Sequence, residues 1–258
     1  MKGLPLAGRR IVVTRPKGQA ETLLALIRQA GGEALEIPAL EIRELADLAP
    51  FHSVIDRLDS FDAAIFVSRN AVRRTFALMG ARPWPAHLQV AAVGNGSREE
   101  LESHGITGVR APGGRADSEA LLAMPEFSAV AGKRIAIFRG EGGRTLLGDT
   151  LALRGVLVEQ AACYRRSRPV QSAALLAVAW ERGKVDAIMV SSGEGLANLL
   201  EMLDDGARRL AGTVLFVPHP RVAVEAVRKG LKRPIVAGPG DAQMAAALVA
   251  YFGGASYN

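Results

Sequence analysis

Arg10-Ile11-Val12-Val13-Thr14-Arg15 has a counterpart 124 positions later in Arg134-Ile135-Ala136-Ile137-Phe138-Arg139, and the reading of this pair decides the fold. Each copy is a short apolar run closed by an arginine. Such runs are strands buried on both faces of a parallel sheet. Working outward from the first copy, further strands are predicted at Ala34 to Ile42, Ala63 to Ser68, Gln89 to Val93 and near Val109. From the second copy they are predicted at Val156 to Tyr164, Ala187 to Ser191, Thr213 to Val217 and Ile235 to Ala237. Between them lie segments of helical period, such as Leu23, Leu24, Ile27 and Ala30, or Leu196, Leu199, Leu200 and Leu203. Alternating strands and helices predict an α/β protein of parallel sheets with helices on both faces.

The shift of 124 positions aligns punctuation as well as strands, and it does so without a gap. Gly8 meets Gly132, Gly18 meets Gly142, Gly31 meets Gly155, Asp62 meets Asp186, Ser68 meets Ser192, Val93 meets Val217 and Asp117 meets Asp241. A supersecondary unit used twice is the expected architecture. Two stretches in equivalent places, Ala34 to Ile42 and Gln160 to Arg168, are longer and more polar at one end than a buried strand requires. They are predicted to pair as a two-stranded connector, each leaving one lobe for the other.

At 258 residues the chain has room for two cores. Its single cysteine, Cys163, allows no internal disulfide, and there is no Cys/His cluster for a zinc or iron-sulfur site. No run is apolar enough to span a bilayer, and Met1 to Arg10 does not read as a signal peptide, so the cytoplasm is the expected compartment. The net charge of +6 comes from 26 Arg and 6 Lys against 26 acids. Arginine's planar fork suits carboxylate or phosphate ligands, although solvated surface accounts for the same excess.

In open parallel sheets, ligands bind beyond the carboxyl ends of the strands. The turns there are Thr14-Arg15-Pro16, Ser68-Arg69-Asn70, Gly94-Asn95-Gly96-Ser97, Arg139-Gly140-Glu141-Gly142-Gly143-Arg144, Ser191-Ser192-Gly193-Glu194-Gly195 and Pro218-His219-Pro220-Arg221. None matches a dinucleotide or P-loop fingerprint. Ser97 with Glu100 reads as a capping box, and Ser68 and Ser192 read equally as helix N-caps or ligand contacts. His52, His87 and His104 lie outside these turns, and His219 alone sits in one. Tyr164, closing an apolar run before Arg165, Arg166 and Arg168, is either an interface anchor or a hydrogen-bond or proton donor between the lobes.

The series Val12-Val13-Thr14-Arg15-Pro16, Phe66-Val67-Ser68-Arg69-Asn70, Ala92-Val93-Gly94, Arg139 to Arg144, Cys163-Tyr164-Arg165-Arg166, Ser192-Gly193-Glu194-Gly195 and Val217-Pro218-His219-Pro220-Arg221 resembles bacterial uroporphyrinogen-III synthases over about residues 8 to 250. The resemblance implies two flavodoxin-like domains joined by the connector, with an active-site cleft between them. One domain is expected over 1–37 together with 167–258, the other over 38–166, with connector strands about 34–42 and 160–168. It also implies the reaction: hydroxymethylbilane loses water and closes to uroporphyrinogen III with ring D inverted, using no metal and no organic cofactor.

The family's cleft tyrosine maps onto Tyr164, the expected catalytic residue. Substrate carboxylates are expected at Arg15, Ser68, Arg69, Asn70, Gly94, Ser97, Arg139, Gly140, Ser192, Gly193, His219 and Arg221. Where relatives carry hydroxyl residues in the last turn, this chain has His219-Pro220. The expected partner is the small-molecule substrate, with no nucleic acid or membrane, and the expected state is a monomer. A non-catalytic two-lobed binder of an anionic metabolite fits the repeat and the Arg content equally well. A nucleic-acid regulator is disfavoured by an aromatic content of 5% and the lack of a basic helix.

Overall fold

A computed structural model of the chain describes residues 3–114, 117–203, 208–210 and 212–254. It divides into two compact units, Met1–Glu41 with Ser167–Asn258 (unit 1) and Ile42–Arg166 (unit 2). In chain order the elements are β1 (Arg10–Val13), α1 (Glu21–Gln29), β2 (Glu33–Glu36), β3 (Glu41–Arg43), α2 (Ala49–Asp56), β4 (Ala63–Phe66), α3 (Arg69–Met79), β5 (Gln89–Ala92), α4 (Asn95–Ser103) and α5 (Ser118–Leu122). They continue as β6 (Arg134–Gly140), α6 (Leu146–Leu153), β7 (Leu157–Ser167), α7 (Ser172–Glu181), β8 (Ala187–Met189), α8 (Gly193–Glu201), β9 (Val214–Val217), α9 (Pro220–Arg228), β10 (Ile235–Val236) and α10 (Asp241–Phe252).

Unit 1 holds a sheet of order β10-β9-β8-β1-β2, parallel at each of its pairings. Along β1, alternation sends Ile11 and Val13 into a core with α1 and α10. Val12, between them, enters a core with α7, α8 and α9. Both faces are therefore covered, which is why β1 reads as an unbroken apolar run. Unit 2 holds the sheet β3-β7-β6-β4-β5. Here Ile135 and Ile137 face α5 and α6, while Ala136 and Phe138 face α2, α3 and α4. Phe66 and Phe138 stack with centroids 4.8 Å apart at the heart of the second core.

The two sheets are one topology used twice. Arg10 pairs with Glu33 and Ile11 with Ala187 in unit 1, and Arg134 pairs with Leu157 and Ile135 with Ala63 in unit 2. All four partners keep the 124-residue shift. The register is not gap-free, however: Ala187 pairs with Val214 but Ala63 pairs with Gln89, so the shift becomes 125 at the fourth strand. The β4-to-β5 connection is one residue shorter than its counterpart, a change a surface loop absorbs at little cost. The fifth strand, β10 in unit 1, survives in unit 2 only as the bridge Ala91 to Arg110.

Two repeated residues work at the end of the sheets away from the ligand-binding turns. Asp186 accepts from the Arg10 amide at 3.0 Å, and Asp62 accepts from the Arg134 amide at 2.8 Å. Each aspartate ties the third strand of its unit to the first, so their recurrence is structural. Gly31 and Gly155 end the first helices with φ of +91° and +80°, a turn other residues adopt only with strain.

The expected strand Ala34 to Ile42 is two strands. Its first part is β2 in the unit 1 sheet and its second is β3, hydrogen-bonded to β7 in the other sheet. Pro38 falls in the break, where the missing N-H cannot serve a ladder. The chain passes between units after Glu41 and again after Arg166, in β3 and in β7.

Candidate functional site

At the carboxyl ends of the unit 2 strands, β4 delivers Ser68 and β7 delivers Tyr164. Ser68 is the N-cap of α3, its extended backbone turning the chain so that Oγ accepts from the Ala71 amide at 3.1 Å. The same oxygen lies 3.1 Å from the Tyr164 hydroxyl. A serine hydroxyl has two acceptor sites and one proton. The Ala71 amide donates to one site, and either hydroxyl can donate in the Ser68–Tyr164 bond; when the phenol donates, the Ser68 proton is left for another acceptor.

Tyr164 owes its aim to a β-bulge. Arg139 pairs with Ala162 but Gly140 pairs with Tyr164, so an extra residue is accommodated in β7. In a regular strand Cys163 and Tyr164 would face opposite sides; here both pack in the same core as Phe66 and Phe138. The phenol is thus no open-cleft side chain, being only 2% exposed, while Ser68 is half-buried. Gly140 makes the room: a Cβ there would stand 2.8 Å from Cε2 and Cζ of the Tyr164 ring. Its role here is positioning.

Cations surround this pair. Arg139 donates to Gln160 Oε1 at 2.7 Å, to the Gly140 carbonyl at 3.3 Å and to the Gly142 carbonyl, all neutral acceptors. Burial first, and the neighbouring Arg166 cation second, hold its guanidinium below the usual arginine range, while ionised Tyr164 favours its charge. Arg69 lies across the first turn of α4, its guanidinium filling the place a Gly96 Cβ would take, and pairs with Glu99 at 3.3 Å. Asn70 is half-buried in the first turn of α3. Gly94, not Ser97, is the N-cap of α4, so the capping-box reading is wrong. Ser97 is buried at the third helical position, because α4 begins three residues before the start the box requires.

The expected residues of unit 1 are engaged with the chain itself. Arg15 forms an ion pair with the Asp241 carboxylate at 2.6 Å, and its side chain is 14% exposed. Ser192 caps α8, accepting from the Gly195 amide at 3.0 Å. A Glu225 oxygen lies 2.6 Å from where a Gly193 Cβ would be, placing an acid at the start of that helix. His219 caps α9 by accepting from the Arg221 amide at Nδ1, which puts the proton of the neutral ring on Nε2. Arg221 is exposed. The strand-end turns of unit 1 therefore hold Ser192, Gly193 and His219 by their caps and close neighbours, with Arg15 neutralised.

Sequence reasoning did not single out Arg166 or Gln160. The run of arginines after Tyr164 was the available signal, but which of them turns toward the Gly142-Gly143 turn depends on the bulge. Among the described residues no group of three or more His, Cys, Asp or Glu is placed to hold a metal ion. Among them, too, no helix is long and apolar enough to cross a membrane.

Known proteins resemble this chain in family, in sequence and in fold. Residues 21–246 match the family described as uroporphyrinogen-III synthase HemD. The uroporphyrinogen-III synthase of Salmonella typhimurium is 37% identical over 199 residues, covering 73% of this chain and 78% of that protein. That of Escherichia coli is 33% identical over 197 residues, covering 75% and 79%. Among solved structures, a mutant uroporphyrinogen III synthase from the extreme thermophile Thermus thermophilus matches with a TM-score of 0.65 at 19% identity, over 95% of this chain and 97% of that one. The Helicobacter pylori uroporphyrinogen-III synthetase matches at 0.60 with 15% identity, over 94% and 99%. At such identities the structures speak for the fold alone.

Proposed function

The chain belongs to the uroporphyrinogen-III synthase family, and we propose that its chemistry is centred on the Ser68–Tyr164 pair. The enzyme is a cyclising hydro-lyase of porphyrin biosynthesis: it removes water from hydroxymethylbilane and closes the chain to uroporphyrinogen III with ring D inverted.

In the proposed mechanism Ser68 Oγ donates its proton to the departing hydroxyl of the bilane. The C–O bond breaks, water leaves, and Tyr164 replaces the serine proton through the 3.1 Å hydrogen bond. Arg139, whose charge ionised Tyr164 favours, steadies the phenolate in that interval. The cation left on the bilane is attacked by the substituted carbon of ring D. The bond from that carbon to the ring C methylene then breaks, and the methylene cation so formed is attacked by the free α carbon of ring D. The proton lost from that carbon as the pyrrole is restored returns to the phenol. Because such a cation closes unaided to the uninverted isomer, most of the enzyme's work is orientation. We assign that work to Arg69 and Arg139 and to the strand-end amides around Gly94 and Gly140.

The observation that carries this reading is the contact of Ser68 Oγ, already accepting from the Ala71 amide, with the Tyr164 hydroxyl at 3.1 Å; in the proposed mechanism the phenol donates, which frees the serine proton. Tyr164→Phe is expected to lower kcat by about ten- to a hundredfold with the fold intact, measured on hydroxymethylbilane by separating isomers I and III. A rate equal to wild type contradicts the assignment. We also propose that the enzyme is a monomer acting without nucleic acid, metal or organic cofactor, supported by a reaction that calls for no electron transfer. Activity that survives exhaustive chelation is the expected result. The cytoplasm is the proposed compartment, since the sole cysteine is a buried free thiol suited to a reducing milieu.

A further inference from the structure

Cys163 is the residue that the register shift of β7 leaves over. Arg139 pairs with Ala162 and Gly140 with Tyr164, so Cys163 stands opposite no residue of β6. A bulged residue gives up its place in the ladder, and the strand beside it needs another hold. The side chain of Cys163 is fully buried, and its thiol faces two backbone carbonyls: that of Arg139 in β6 at 3.3 Å and that of Ala71 in the first turn of α3 at 3.6 Å. The Thr75 hydroxyl, buried one turn farther along α3, acts on the same sulfur. Burial pushes the thiol up to about 11, so at neutral pH the sulfur keeps its proton and can donate it. A thiol is a weak donor, but where water is excluded nothing competes for the bond.

Ala71 connects this thiol to the site. Its amide donates to Ser68 Oγ at 3.1 Å while its carbonyl faces Cys163. The next residue of β7 is Tyr164, whose hydroxyl lies 3.1 Å from the same Ser68 oxygen. Ser68, Ala71, Cys163 and Tyr164 thus close a ring of contacts between α3 and β7. Unit 1 ties the equivalent crossing by other means: Cys163 has its counterpart in Ala39, also fully buried, and Asn198 of α8 donates to the Ala39 carbonyl at 2.9 Å. An alanine fills that place, so packing alone does not call for sulfur there. In each unit a side chain hydrogen-bonded to a backbone carbonyl joins the chain at this point to the neighbouring helix.

We propose that Cys163 is a positioning residue for the reaction: its thiol ties the bulge of β7 to the first turn of α3 and so holds the Tyr164 hydroxyl against Ser68. This rests on the reading that the chemistry is centred on the Ser68–Tyr164 pair. The thiol touches no substrate and moves no proton in the reaction. Its loss therefore acts on kcat and leaves KM in place, and it acts only through the phenol.

The experiment is steady-state kinetics on hydroxymethylbilane of Cys163→Ala, Cys163→Ser, Tyr164→Phe and the double variant Cys163→Ala/Tyr164→Phe, with circular dichroism to confirm folding. Cys163→Ala is expected to lower kcat about tenfold, the effect of a slightly displaced donor, with KM within about twofold of wild type. Cys163→Ser differs from it by one hydroxyl, which restores a donor, and is expected to bring kcat back to within about threefold of wild type. In the Tyr164→Phe background Cys163→Ala should change kcat by less than about twofold, because the two losses share one route. A slowed Tyr164→Phe beside a Cys163→Ala enzyme of wild-type kcat overturns the tether alone. So does a tenfold fall that persists in the double variant, or a rise in KM at constant kcat. A Tyr164→Phe enzyme with wild-type kcat overturns the assignment of the pair itself, and the tether with it.

Discussion

The two units of this molecule share the order of four strands and a serine cap on equivalent helices, yet their strand-end turns have diverged in opposite senses. Ser68 and Ser192 occupy the same place and cap the same helix, but only Ser68 meets a phenol, because the position equivalent to Tyr164 is Leu40. Arg139 and Arg15 close equivalent strands; one is left among neutral oxygens beside a second cation, the other is paired with Asp241. Across the adjoining helix starts unit 2 lays a cation, Arg69 over Gly96, and unit 1 lays an anion, Glu225 against Gly193. A duplicated scaffold keeps what folds it in both copies. In unit 2, the same turns join a serine to a tyrosine and hold an arginine on neutral oxygens.

The largest effect that separates the units is expected at Gly140. Gly140→Ala forces a methyl against the Tyr164 ring, and a displaced donor costs activity about a hundredfold. Its counterpart in unit 1 is Pro16, which already carries a Cβ, so Pro16→Ala should leave kcat unchanged. Turnover of both variants on hydroxymethylbilane, with circular dichroism to confirm folding, makes the test; matched losses break the comparison. Next comes the arginine pair. Arg139→Gln should raise KM about tenfold, whereas Arg15→Gln should cost about 2 kcal/mol of stability through the stranded Asp241 and leave KM alone. Kinetics beside urea denaturation separate those outcomes.

The smallest effect is a pH dependence confined to unit 2. Burial pushes the Cys163 thiol up to about 11, while its counterpart Ala39 cannot titrate. The folded chain keeps a proton that the unfolded chain releases above 9.0. The resulting stability is complete below that pH and is lost as the pH rises toward 11, by about 2 kcal/mol. Denaturation of wild type and Cys163→Ala at the two ends of this window should show the wild type losing more. Equal losses contradict a buried neutral thiol.

Much of this was legible in the residues. Buried parallel strands announce themselves as apolar runs: the run Ile11 to Thr14 formed as Arg10–Val13, and Ile135 to Phe138 formed within Arg134–Gly140. The duplication was legible because Gly31, Gly155, Asp62 and Asp186 answer backbone demands common to both units. The shift to 125 was hidden because sliding a sequence against itself without gaps cannot show one missing loop residue. The split of Ala34 to Ile42 was signalled by Pro38 alone, and the capping box at Ser97 failed because the same three-residue spacing occurs inside a helix. What no linear reading provides is the bulge at Tyr164. It decides that the phenol lies inside the unit, that Ser68 speaks for it, and that Arg166 lies beside the Gly142-Gly143 turn.

The most direct test of the account compares kcat for Ser68→Ala and Ser192→Ala on hydroxymethylbilane. Each variant removes the same helix cap and should lose about 1 kcal/mol of stability. The account predicts that Ser68→Ala alone slows turnover, by about tenfold or more, and releases a growing share of isomer I. Equal turnover in the two variants, whether both fall or neither does, would contradict it.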